Sequence, residues 1–102
     1  MKLYQVDISP AGKEELWNYV EGAREFGDET VLELLTCFDS RVDFLEENPK
    51  GGTDRLPFLL EKYRALHLWK HYWIIYQIYE VDRIVKIEYV IDDRQNYISF
   101  IR

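Results

Sequence analysis

Three runs near the end of the chain decide its fold: Lys62-Tyr-Arg-Ala-Leu-His-Leu68, Tyr72-Trp-Ile-Ile-Tyr-Gln-Ile-Tyr79 and Arg83-Ile-Val-Lys-Ile-Glu-Tyr-Val-Ile-Asp-Asp-Arg-Gln-Asn96. All three are strand-like, the second and third rich in β-branched and aromatic residues. The gaps near Lys70-His71 and Val81-Asp82 are short enough to demand antiparallel neighbours, so the runs predict a three-stranded meander. Arg64 opens the first run and Arg94 leaves the last, a placement that lets two guanidinium groups on different strands approach one anionic partner. On the last strand Val85, Ile87, Tyr89 and Ile91 alternate onto one face and read as core, with Lys86 and Glu88 on the other. The middle run is apolar on both faces: Tyr72, Ile74, Tyr76 and Ile78 against Trp73, Ile75, Gln77 and Tyr79. Helices can cover only one side of such a sheet, so the second apolar face reads as a surface for a partner.

Upstream of the meander, Asn48-Pro-Lys-Gly-Gly52 ends a helix with residues that break helices or permit positive φ. In that helix Val31, Leu35, Phe38, Val42 and Leu45 recur at alternating steps of four and three, the spacing of a buried seam. Asp28 is placed to cap its start. A first helix, about Pro10 to Phe26, begins at Ser9-Pro10 and aligns Leu16, Val20 and Ala23 on one face. The short joint at Gly27-Asp28 folds the two helices back as a hairpin. Lys2 to Ile8 alternates like a first strand, and Thr53 to Glu61 reads as a loop packing Leu56, Phe58 and Leu59. The expected fold class is therefore α+β: an N-terminal strand, an antiparallel two-helix hairpin packed on one sheet face, and a three-stranded antiparallel meander.

The 102 residues suit one domain spanning 1–102, and three Trp, eight Tyr and five Phe supply ample core. A net charge of −6 argues against generic nucleic-acid binding, which draws on Lys and Arg to neutralise phosphates. The single Cys37 forms no internal disulfide and fits no zinc spacing, so core filling in a reducing cytoplasm is the expectation, with no cofactor and no metal. No run reaches the length of a membrane span.

The order strand, helix hairpin, meander, with Ser9-Pro10 at the first helix, Asn48-Pro-Lys-Gly51 after the second, Tyr63-Arg64 and Tyr76-Gln-Ile78, resembles the RelE/ParE superfamily of toxins over essentially the whole chain. The resemblance implies the toxin of a bacterial type II toxin–antitoxin operon, of the kind known as plasmid stabilisation proteins, held inactive by a cognate antitoxin in a hetero-oligomer or otherwise free to form a homodimer. RelE-like members cleave mRNA on the ribosome; ParE-like members poison DNA gyrase. Carried over residue by residue, the RelE site leaves Arg64 and Arg94 as candidate catalytic cations. Leu66, Leu68 and Trp73 stand where such a nuclease has further Lys or Arg, and Asp92-Asp93 follows the last strand. Metal-free RNA cleavage needs a base and an acid as well as cations, and a guanidinium supplies only the last. The departures and the long first helix favour the ParE-like reading. A ribosome-dependent endoribonuclease is the alternative, and a non-toxic interaction module the third reading.

An antitoxin is expected to add a strand or lay a helix across a partner-binding set of Trp73, Ile75, Tyr79, Leu66, Leu68 and Lys86. Plainer readings stand beside these. Arg64 and Arg94 can pair with Glu61, Glu88, Asp92 or Asp93 as a solvated network. His67, by alternation on the face of Ala65 and Trp69, reads as a packed, satisfied histidine, and His71 as an exposed turn residue. Asp39, Asp43, Glu46 and Glu47 read as a solvated helix face, and Gly51-Gly52 as a turn.

Overall fold

The computed structural model describes residues 3–54 and 61–94. Strand β1 (Gln5–Ile8) leads into helix α1 (Pro10–Ala23), a 3-10 turn (Arg24–Phe26) and helix α2 (Asp28–Glu47). Strands β2 (Arg64–Trp69), β3 (Tyr72–Tyr79) and β4 (Ile84–Asp92) follow. They form one four-stranded sheet in the order β1-β4-β3-β2; β2, β3 and β4 are the expected meander, and β1 lies parallel to β4. Leu56, Phe58 and Leu59, and the strand start at Lys2, lie outside the described residues.

Local chemistry accounts for these boundaries. Ser9 accepts a hydrogen bond from the Gly12 amide at 2.9 Å and Pro10 enters the first turn of α1. Gly27, at φ 103°, reverses the chain between the helices. Gly27 therefore takes the cap position of α2 that was expected of Asp28. Asp28 lies instead within the first turn beside Glu29, where carboxylates favour the helix dipole. At the other end of α2, a Cβ on Gly52 would sit 2.5 Å from the Ala65 carbonyl oxygen and 2.6 Å from the Tyr76 hydroxyl, so only glycine fits that close approach.

Both helices pack on one sheet face. Val20, Ala23, Leu34 and Leu45 meet Leu68, Ile74, Tyr76, Val85, Ile87 and Val90 in the main core. Leu34, absent from the predicted seam, is fully buried, whereas Val31, Leu35, Phe38 and Val42 are partly so. A helix packed on both a sheet and a neighbouring helix buries two adjacent stripes, and Leu35 and Phe38 lie on the stripe turned to α1. Cys37 is among the residues packed against this core.

Two bulges revise the face assignments. Ile75 pairs with Tyr89 but Tyr76 pairs with Ile87, which leaves Glu88 as an extra residue in β4. Val85 and Ile87 consequently face the helices as expected, but Tyr89 and Ile91 turn to the opposite face and Val90 takes their place in the main core. The second shift lies between His67 and Trp69 and sends Leu68 and Trp69 to the helix side together. His67 is then exposed rather than packed, though its Nε2 lies 2.8 Å from the Lys70 carbonyl oxygen.

Side chains of α1 finish the edge of β4 where β1 stops. β1 pairs only as far as Ile87. Beyond it Ser9 Oγ donates to the Glu88 carbonyl at 2.6 Å, and Glu15 accepts from the Val90 amide at 3.0 Å. Two side chains thus stand in for the missing strand, satisfying backbone groups that are costly to bury unpaired. Ser9 to alanine removes both the cap and the Glu88 contact. It is expected to cost about 1–2 kcal/mol of unfolding free energy, measurable by urea titration.

Candidate functional site

The strand register separates the two candidate arginines. Arg64 sits opposite Tyr76, whereas the segment carrying Arg94 ends opposite Tyr72. Four residue steps along β3, roughly 13 Å at about 3.3 Å each, separate those positions. The structure does not bring the two guanidinium groups together.

Each is instead engaged where it stands. Arg64 lies on the helix-covered side with Leu66, its Nη2 donating at 3.0 Å to the carbonyls of Lys50 and Gly52, with Asp54 3.8 Å away. Its Nε is buried and meets no acceptor among the described residues. Tyr76 reinforces the same loop: its hydroxyl donates to the Pro49 carbonyl at 2.7 Å and accepts from the Gly52 amide at 3.0 Å. Burial raises the Tyr76 pKa, which keeps this hydroxyl a donor. Arg64 therefore clamps the segment joining α2 to β2.

At the opposite end, Arg94 embraces the side chain of Asp92 through Nε at 3.1 Å and Nη2 at 2.8 Å. Asp92 is 5 % exposed, and its hydrogen bonds from Arg94 hold its carboxyl below the usual carboxylate range. Next to this pair, Asp93 accepts from Trp73 Nε1 at 3.1 Å and lies 3.4 Å from His71 Nδ1. His67 meets the Trp73 ring edge-on at 5.3 Å between centroids. Trp73 is consequently half-buried within a polar cluster at the β2–β3 turn, where His71 is exposed as expected.

The remaining members of the predicted partner set are divided between faces. Leu68 is buried under the helices and Leu66 packs against the same core. Ile75 is buried on the opposite face with Tyr63, Ala65 and Ile91, flanked by Trp73 and Tyr89. That face holds a second, smaller core at its centre. Tyr79 is 40 % exposed, and Lys86 lies half-buried 4.0 Å from Glu88. Strand addition at β2 is impeded as well: Thr53 exchanges both backbone hydrogen bonds with Ala65, and Arg41 Nε donates to the His67 carbonyl at 2.8 Å.

A different surface offers apolar area. Between α1 and α2 a cleft of about 230 Å³ is lined by Ile8, Leu16, Trp17, Val20, Leu35 and Phe38, with Lys13 at its edge. Trp17 is 52 % exposed there. The hydrophobic period does not single out Trp17, because it adjoins the Leu16–Val20–Ala23 face without belonging to it. The usable signal is an indole on the stripe next to a seam, where a second helix cannot cover it fully. Among the described residues, no group of three or more His, Cys, Asp or Glu is arranged to hold a metal, and no helix is long and apolar enough to cross a membrane.

The architecture is RelE/ParE-like: a helix hairpin laid on one face of a sheet whose last three strands form a meander, with the first strand parallel to the last. Among solved structures, it is similar to a chain described as "Chromosomal ParDE TA system from P. aeruginosa", with a TM-score of 0.68 and 14 % identity over 86 % of this chain and 94 % of that one. No protein-family model matches the sequence, and no curated protein matches it.

The acidic groups at this end of the sheet set opposite pH dependences. Asp92, lowered by Arg94, contributes stability that is present above the ordinary carboxylate pKa and is lost as pH falls through its folded value. Glu15 is raised, chiefly by burial, so its contribution is present below the ordinary value and is lost as pH rises through the folded one. Urea midpoints recorded from roughly pH 3 to 7 should therefore fall less with rising pH in Glu15→Gln, and fall less on acidification in Asp92→Asn.

Proposed function

We propose that this chain is the toxin of a type II toxin–antitoxin pair, neutralised by a cognate antitoxin, and that it acts by binding a cellular target of the DNA gyrase class. The observation that carries the reading is the shared fold with a chain of a ParDE TA system over nearly the whole of both chains. Separation of Arg64 from Arg94 supports target binding over RNA cleavage, since a phosphate undergoing transfer needs its cations within hydrogen-bond reach at the same time. The antitoxin segment that best fits is amphipathic. Its apolar side chains would fill the hairpin cleft at Trp17, and basic residues would meet Glu14, Glu21 and Asp39 on the exposed surfaces of the two helices.

Induced expression alone should arrest growth, and co-expression of the adjacent small reading frame should restore it. Purified chain should block supercoiling by gyrase while leaving ribosome-bound message intact. Trp17→Glu should weaken capture of the antitoxin about thirtyfold or more with little change in melting temperature, because the ring is half in solvent. Normal growth at high levels of folded protein would overturn the toxin reading, and message cleavage lost on Arg94→Ala would replace gyrase by the ribosome.

A further inference from the structure

Two aromatic rings are more than half exposed among the described residues: Phe26, 78 %, in the 3-10 turn, and Trp17, 52 %, in the middle of α1. Only Trp17 stands on a regular stripe. Pro10, Lys13, Trp17, Glu21 and Arg24 follow one another at steps of three, four, four and three, the spacing that keeps residues on one side of an α-helix. All five are exposed, and Arg24, just past the last turn, keeps helical angles at φ −58° and ψ −28°. The stripe borders the hairpin cleft, whose lining includes both Lys13 and Trp17.

That spacing reads the same from either end. Turned end over end about Trp17, the stripe lays Lys13 on the position of Glu21 and Pro10 on that of Arg24. Two copies placed so would set an ammonium against a carboxylate twice, once on each side of the axis. Lys13 and Arg24 also balance Glu21 and, at the margin, Glu14, so the stripe carries no net charge in a chain of −6. The repulsion between two acidic copies is thereby relieved along this line. Among the described residues Lys13 makes no ion pair, and the Glu21 carboxylate is engaged by Arg24 Nε alone, at 3.2 Å with both side chains exposed. An exposed contact of that kind is weak and exchanges readily.

We propose that two copies of this chain dock through antiparallel α1 helices, with Trp17 at the twofold axis and Lys13 of each copy against Glu21 of the other. A patch that is complementary to itself is what a closed twofold dimer requires. Helices packed in this way lie roughly 8–10 Å apart, which brings the two indoles together and takes them out of water. One stripe from each copy is a small interface, so the dimer is weak, with a dissociation constant on the order of micromolar. The inference stands on the chain alone and does not rest on the toxin reading. Where that reading holds, antitoxin and second copy need the same ring, and each excludes the other.

The test is sedimentation equilibrium of the purified full chain from about 1 to 500 µM, which should show a monomer–dimer equilibrium. Lys13→Glu and Glu21→Lys each set like charges against one another at two symmetric places, and each should weaken self-association about tenfold or more. Mixing those two single variants should restore pairing between unlike chains, because each then supplies the charge the other lacks. The double variant carrying both exchanges should return to within about threefold of the native dissociation constant. Such recovery belongs to an antiparallel register about Trp17, since any other register leaves the reversed charges without their partners. Trp17→Ala should weaken the dimer about tenfold or more. A chain that stays monomeric throughout, a dimer that neither single exchange weakens, or a mixture and a double variant no tighter than the singles would overturn the proposal. Antitoxin capture and growth on induced expression report separately on the toxin reading.

Discussion

Ile75→Ala is expected to lower the unfolding free energy by about 2–5 kcal/mol, the cost of emptying a filled core position. Ile75 is completely buried on the sheet face opposite the helices, in contact with Tyr63, Ala65 and Ile91. A residue that served only as a docking anchor would behave differently. Its truncation would leave the urea midpoint unchanged and appear solely as weaker partner capture. Measuring midpoint and capture on the same variant separates the roles, and an unchanged midpoint would show that this face is not a core.

Arg64→Ala is expected to cost about 2–3 kcal/mol, because it strips the Lys50 and Gly52 carbonyls of a charged donor at the base of the loop. Arg64→Lys should recover only part of the loss. A single ammonium does not reproduce the planar fork that reaches both carbonyls and leaves the long stem packed beside Tyr76. The informative comparison is with Arg94→Ala. If Arg64 were a catalytic cation, its alanine variant would retain stability and lose activity; a clamp loses stability first. Toxicity assays on Arg64 variants therefore require a parallel melting curve, since unfolded toxin and inactive toxin have the same growth phenotype.

Much of the fold was legible in the chain because its signals are local. Ser9-Pro10 marks a helix start through one hydroxyl and one fixed φ. Gly27 marks a reversal, and Tyr72 to Tyr79 marks a strand by its β-branched and aromatic run. The surfaces were less legible. A strict alternation from Val85 to Ile91 predicts one face, but the extra residue at Glu88 turns Tyr89 and Ile91 over and brings Val90 inward. Such a bulge leaves no mark in composition, because apolar residues stand on both sides of it. Trp17 and Phe26 were equally hard to single out, since an exposed aromatic differs from a buried one only in what packs against it.

By itself, the sequence determined the elements and their order: a strand, a helix hairpin and a meander, set by caps, turn residues and hydrophobic period. Only the tertiary structure decided which side chains share a site. Pairing of β2, β3 and β4 puts Arg64 and Arg94 at opposite ends of the sheet, and the parallel contact of β1 with β4 brings Ser9 and Glu15 onto a strand more than seventy residues away. The physical reason is range. Capping and turn preferences act within a few residues, whereas register and the convergence of charges depend on how distant strands align, and a single bulge changes that alignment without changing any local propensity.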